Sequence, residues 1–151
     1  LKHEVQMLEN DFKTASRVRN LYLNVVFSED FPATIPLDRL RIQRVLSNLI
    51  SNGLKYTNKG GVTVFVHYTK MQGSGLLEII IEDTGTGIKP SYLDFIFSPF
   101  TRIANKSGSD GSGLGLSIVK GFVDDLQGQI SVNSEEGRGS KFIVMLPIMD
   151  T

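Results

Sequence analysis

The sequence predicts an α+β domain: one mostly antiparallel sheet of about five strands, covered on one face by about three helices. Three observations lead there. Apolar residues recur at helical spacing in three stretches, most clearly at Leu40, Ile42, Val45, Leu46, Leu49, Ile50 and Leu54. Val62, Val64 and Val66 share one face of an alternating stretch, and an apolar run from Leu76 to Ile81 follows a glycine turn. Near the end, two further strand-forming stretches flank Glu135-Glu136-Gly137-Arg138-Gly139. Strands paired largely through hairpins favour helices segregated to one face of the sheet.

Residues 3–19 place Val5, Leu8, Phe12 and Ala15 three or four apart, the pattern of an amphipathic helix. Residues 21–27 are rich in strand formers. Pro32, Pro36 and Asp38 mark a connection and a helix start, and the second helix is expected over 38–56. Asn58 to Gly61 reads as a turn, 62–68 as a strand, and Gly73-Ser74-Gly75 as a hairpin turn into a strand over 76–82. Pro90 to Phe97 has room for a short helix. Residues 101–113 are polar, rich in Gly and Ser and aperiodic, which reads as a functional loop. Helical period returns over 114–126, Gly128 ends it, and strands are expected over 129–134 and 140–147.

The 151 residues fit one domain spanning 1–151, large enough for a core without staples. Sixteen basic and sixteen acidic side chains cancel, so nothing marks a nucleic-acid surface. The absence of cysteine excludes disulfides, thiolate metal sites and thiol catalysis. No apolar run approaches the roughly 20 residues that span a bilayer, and the first residues do not resemble a signal peptide. A soluble fragment with no direct membrane contact is expected. It starts mid-pattern without a methionine, as a piece of a longer chain would.

The chemistry concentrates in two glycine loops and one helix stripe. Asp83-Thr84-Gly85-Thr86-Gly87-Ile88 stands at the mouth of the 76–82 strand. An ionised carboxylate there accepts hydrogen bonds only and suits an exocyclic amine such as that of adenine. Gly85 and Gly87 would leave room for a flat ring, although the same residues also fit a tight turn. Gly111-Ser112-Gly113-Leu114-Gly115-Leu116 opens a helix, where backbone amides and the helix dipole make a phosphate site. It is neither a Walker A loop nor a dinucleotide fingerprint, and a flexible linker is the plain alternative. Asn48, Asn52 and Lys55 fall on one stripe of the 38–56 helix at the border of its apolar face, with Tyr56 beside it. Asn oxygens can complete a Mg²⁺ shell with phosphate and water, and Lys55 can neutralise phosphate charge. Taken alone, that stripe also reads as a solvated helix face.

Phe97-Ser98-Pro99-Phe100 reads as a hydrophobic anchor at the base of the loop, from which Arg102 and Lys106 could reach phosphate on closure. Gly137-Arg138-Gly139-Ser140 enters the last strand, and Ser140 could add one hydrogen bond. His3 and His67 carry no assigned role.

In this order, the motifs resemble those of the ATP-binding catalytic domain of sensor histidine kinases, within the superfamily of gyrase, Hsp90 and MutL ATPases. The similarity runs from about residue 3 to 148. Asn48-Leu49-Ile50-Ser51-Asn52 is similar to the N box, Asp83 to Gly87 to the first glycine box, and Phe97 to Phe100 to the F box. Gly111 to Leu116 and Gly137 to Ser140 are similar to the later glycine boxes.

The resemblance implies a Bergerat-type α/β sandwich that binds ATP and Mg²⁺. It implies Asp83 on the adenine amine and Tyr56 and Ile88 lining the base pocket, with Gly85, Gly87 and Ser140 around it. Asn52 with Asn48 would hold the metal. Lys55, Arg102 and the amides of Gly113, Leu114, Gly115 and Leu116 would contact phosphate, and 103–112 would form the lid. Asn48, Lys55 and Arg102 would be the catalytic set. Asn48 stands where hydrolytic relatives carry a glutamate, which favours transfer to histidine over hydrolysis.

The acceptor histidine of the family lies on a separate helical hairpin, which this chain lacks. The resemblance thus implies a monomeric cytoplasmic fragment and leaves open a membrane anchor on the parent. Its partners would be ATP and ADP, that hairpin and a downstream response regulator, with no nucleic acid. The alternatives are a serine- or dehydrogenase-type kinase of the same superfamily, or a nucleotide-gated binding module. Gly53, where alanine is common, costs about 1 kcal/mol of helix propensity and is expected to leave the chemistry alone.

Overall fold

The computed structural model describes residues 1–98 and 115–149. In chain order these form α1 (Lys2–Val18), β1 (Tyr22–Phe27), α2 (Arg39–Lys55), β2 (Gly61–Met71) and β3 (Ser74–Asp83). A single 3₁₀ turn (Pro90–Tyr92), α3 (Gly115–Asp125), β4 (Gln129–Glu135) and β5 (Gly139–Met149) follow. The five strands make one sheet in the order β1-β2-β3-β5-β4. β2–β3 and β4–β5 are antiparallel hairpins, as the turn spacing predicts, and β3–β5 is antiparallel as well. β1 pairs parallel to β2, so the sheet is mixed. A parallel pair needs a crossover, and α2 supplies it.

One face of the sheet makes the core. Val64 and Val66 of β2 sit beside Ile81 and Ile79 of β3, which sit beside Phe142 and Val144 of β5, and Val62 sits beside Asp83. α2 buries Ile42, Val45, Leu46, Leu49, Ile50, Gly53 and Leu54. Leu40 belongs to the predicted apolar set but is 72% exposed. It lies in the first turn, just after Asp38, which caps the helix by accepting the Arg41 amide at 3.1 Å.

The β2–β3 turn differs from expectation. β2 continues to Met71 opposite Ser74, so the loop is the two residues Gln72 and Gly73, with Gly73 at φ +72°. A two-residue hairpin needs positive φ, which glycine supplies. Ser74 and Gly75 belong to the strand, and the end of the Tyr68 side chain lies over Gly75.

The expected helix over 90–97 is the 3₁₀ turn followed by further turns. Phe97 packs edge-on against Phe142, centroids 6.3 Å apart, as an anchor should. Arg19, just past α1, donates through its guanidinium to the carbonyls of Leu54 and Thr57, the latter at 2.7 Å. Leu54 is in the last turn of α2, whose carbonyls have no partner within the helix, and Thr57 lies just beyond it.

Candidate functional site

Asp83 ends β3 on the core face and is 7% exposed. Its Oδ1 accepts two backbone amides, from Gly85 at 2.9 Å and from Ser140 at 3.2 Å. No ion pair reaches it among the described residues. Burial pushes its carboxyl above the usual aspartate range; the two amides oppose that shift and the Glu82 charge adds to it. The result is a fixed acceptor with one oxygen anchored by backbone and its partner oxygen bonded to no donor among the described residues.

The glycine loop is held from three sides. The Thr86 amide donates to the Tyr56 carbonyl at 3.1 Å, and Gly137 donates to the Thr86 carbonyl at 2.7 Å. Thr84 Oγ1 donates to the Lys59 carbonyl at 2.8 Å and accepts the Gly61 amide at 3.0 Å. These contacts give the glycines a packing reason in addition to the one expected. A Cβ on Gly85 would meet the Tyr56 carbonyl, and one on Gly87, at φ +71°, the Glu135 carbonyl. Both positions need glycine because backbone packs against backbone there.

α2 passes directly over Asp83. A Cβ on Gly53 would lie 3.7 Å from the Asp83 Cβ and 3.1 Å from Val62 Cγ2. The same helix carries Asn48 and Asn52, both half-buried and with no side-chain hydrogen bond among the described residues. Lys55 Nζ stands 5.5 Å from the centroid of the Tyr56 ring, and Tyr56 caps the helix. The structure therefore gathers Asp83, Gly85, Tyr56 and Ser140 around one point, with the Asn/Lys helix above it. Ile88 is 5% exposed and part of the core.

Ser140 is placed behind Asp83. Its amide holds the carboxylate, and its hydroxyl lies 2.9 Å from Ser134 Oγ. Ser134 was not among the residues singled out by sequence. It also accepts the Ile88 amide at 2.7 Å and donates to the Gly139 carbonyl at 3.1 Å. The available signal was phase: Ile130, Val132 and Ser134 share the inward side of β4, and serine is the polar member.

Leu116 packs on the core, and Gly115 is exposed with nothing among the described residues near a would-be Cβ. Arg102, Lys106, Gly113, Leu114, Phe100 and the expected lid over 103–112 lie outside the described residues.

No group of three His, Asp or Glu side chains among the described residues could hold a metal. The two carboxamides of α2, Asn48 and Asn52, fit a hard cation only when phosphate and water supply the remaining ligands. A cavity of about 320 Å³ between the ends of β3, β4 and β5 has Asp83, Ser134, Ser140, Glu82, Arg138 and Lys141 among its lining residues, and no residue of the α2 stripe lines it. No helix among the described residues is long and apolar enough to cross a membrane.

Comparison with known proteins adds an independent line. The family model for histidine kinase-, DNA gyrase B-, and HSP90-like ATPases matches residues 37–150. The chain is 37% identical over 136 residues to the sensor histidine kinase AtsR of Burkholderia thailandensis, covering 87% of this chain and 22% of that protein. It is 35% identical over 150 residues to the autoinducer 2 sensor kinase/phosphatase LuxQ of Vibrio parahaemolyticus, covering 97% of this chain and 18% of the relative. The chain thus spans about a fifth of the length of these curated relatives. Among solved structures, full-length ShkA in complex with AMPPNP superposes with a TM-score of 0.82 at 26% identity, over 99% of this chain and 30% of that one. The mycobacterial sensor histidine kinase MprB gives 0.73 at 25% identity, over 97% of both chains.

Proposed function

The chain belongs to the histidine kinase-, DNA gyrase B-, and HSP90-like ATPase family, and from that premise we propose that it binds ATP and presents the γ-phosphoryl group to a histidine. That histidine sits on a separate helical-hairpin domain, as in a cytoplasmic two-component phosphorelay with a response regulator downstream. The relatives named above are sensor kinases, which disfavours a serine- or dehydrogenase-type kinase and a nucleotide-gated module.

The observation that carries the reading is the state of Asp83. Two backbone amides occupy Oδ1, so Oδ2 is the acceptor for the adenine amine. Tyr56 flanks the base and Ile88 backs it. Gly85 and Gly87 set the loop, and Ser140 supports the carboxylate from behind. Lys55, with Arg102 and the amides of Gly113, Leu114, Gly115 and Leu116, neutralises and orients the phosphates.

Asn52 and Asn48 would hold Mg²⁺ against phosphate oxygens, and the ion would supply charge neutralisation there. In the transfer, an imidazole nitrogen forms the new P–N bond while the bond to the β–γ bridging oxygen breaks, releasing ADP. Positioning and electrostatics account for such catalysis. Asn48 is a poor general base, so water is not activated from that position.

The test is calorimetric titration of ATP into Asp83→Asn. The asparagine oxygen can keep the two backbone bonds, so the fold should survive. Its NH₂ then faces the adenine NH₂, donor against donor, and affinity should fall at least about tenfold. Unchanged affinity would remove the adenine assignment. Phosphorylation of an added histidine-bearing hairpin by the isolated domain tests the acceptor.

A further inference from the structure

Ser134 lies in register with Ser140 across the β4–β5 pair, and Ser140 lies in register with Asp83 across the β5–β3 pair. The three side chains therefore form one row on the core face at the end of the sheet. Ser134 Oγ uses its whole hydrogen-bonding capacity there. Its single proton goes to the Gly139 carbonyl, and its two lone pairs accept the Ile88 amide and the Ser140 hydroxyl. One half-buried hydroxyl thus ties the end of the glycine loop to the hairpin residue whose amide grips Asp83. Neither Ile88 nor Ser140 has another side-chain partner among the described residues that links the two segments.

We infer that Ser134 is a positioning residue for base recognition, holding Asp83 through Ser140 and the glycine loop through Ile88. Its hydroxyl is taken up by protein partners, so it acts through them rather than on the base. It fixes the direction in which the Asp83 oxygen points, and therefore the preference for a base that carries an amine. The inference rests on the adenine reading of Asp83.

The experiment compares ATP with ITP, whose base carries a carbonyl in place of the amine, on the chain and its variants, alongside their thermal midpoints. In Ser134→Ala, ATP affinity should fall about fivefold, the scale of one neutral hydrogen bond, while ITP affinity changes little, so the ATP/ITP ratio drops. Ser134→Thr keeps the hydroxyl and should restore the ratio. A ratio unchanged in Ser134→Ala, with only the midpoint lowered, overturns the proposal and leaves a purely structural serine. A threonine variant as indiscriminate as the alanine variant overturns it too. If Ser134→Ala does not fold, Ser140→Ala decides: it removes the hydroxyl link and keeps the amide, and an unchanged ratio there counts against the proposal. Asp83→Asn separates the two readings. If it keeps the ATP preference, the adenine reading fails and Ser134 with it. If it abolishes the preference while Ser134→Ala does not, only the Ser134 proposal fails.

Discussion

The amide of Ser140 points at Asp83 Oδ1 from 3.2 Å, across the β3–β5 pair, and no cation stands on the other side among the described residues. A buried carboxylate held by amides alone keeps a desolvation penalty that a salt bridge would have offset. The missing favourable partner is the one a ligand amine can provide.

That penalty sets two pH dependences of opposite sign. Burial, aided by the Glu82 charge and opposed by the two amides, raises the Asp83 carboxyl above its ordinary 3.8. The folded state therefore holds this proton more tightly than the unfolded state. The stability contributed by Asp83 is fully present below the unfolded value and is lost as pH rises through the folded one. Nucleotide affinity runs the other way, because the ionised acceptor is needed: it falls as pH drops through the same window. Urea unfolding and ATP titration on the acid side of neutrality should move in opposite directions. Asp83→Asn should remove the Asp83 part of both, and it serves as the reference that subtracts titration of the phosphates. A variant whose stability profile matches the parent at every pH would contradict this account.

Arg19 joins the end of α1 to the end of α2, two residues from the Tyr56–Thr86 bond that holds the glycine loop. Arg19→Ala should cost about 1 kcal/mol in denaturant unfolding, a modest value because Arg19 is an exposed residue whose two hydrogen bonds are only partly buried. Arg19→Lys should recover only part of it, since an ammonium cannot span two carbonyls as a planar fork does. Amide exchange at residues 54–57 should rise in both variants. Unaltered exchange there would mean that α2 keeps its C-terminal turn without Arg19.

How much of this was legible in the sequence depends on the range of the interactions. α2 and the two hairpins were readable because period and turn residues are local signals. Asp83 was readable because an acid directly after a strand and before two glycines breaks the local pattern. The parallel placement of β1 was not, because a crossover leaves no mark in β1 itself. The packing reason for Gly85 and Gly87 was not legible: the groups that exclude a Cβ, the carbonyls of Tyr56 and Glu135, are 29 and 48 residues away in sequence. Ser134 escaped notice because one serine in an alternating strand looks like solvent-facing polarity until its register partner is known.

Gly53 shows the same limit and gives the last test. Helix propensity alone predicts that Gly53→Ala stabilises α2 by about 1 kcal/mol. The structure sets a contact against that gain, because the new Cβ would lie 3.1 Å from Val62 Cγ2 and 3.7 Å from the Asp83 Cβ. Val62 is fully buried in β2, paired with β1 on one side and β3 on the other, so it has little freedom to retreat. The expected net change in stability is therefore near zero or unfavourable. α2 should also be pushed off Asp83, weakening ATP binding. Val62→Ala alone should destabilise by about 1–3 kcal/mol through the lost methyls. Combined with Gly53→Ala it should cost less than the sum, because the space vacated by Val62 accepts the new methyl. A double-mutant cycle with a coupling energy of at least about 0.5 kcal/mol in that direction is expected. Strict additivity, with ATP affinity unchanged in Gly53→Ala, would mean that α2 does not rest on the sheet through this contact.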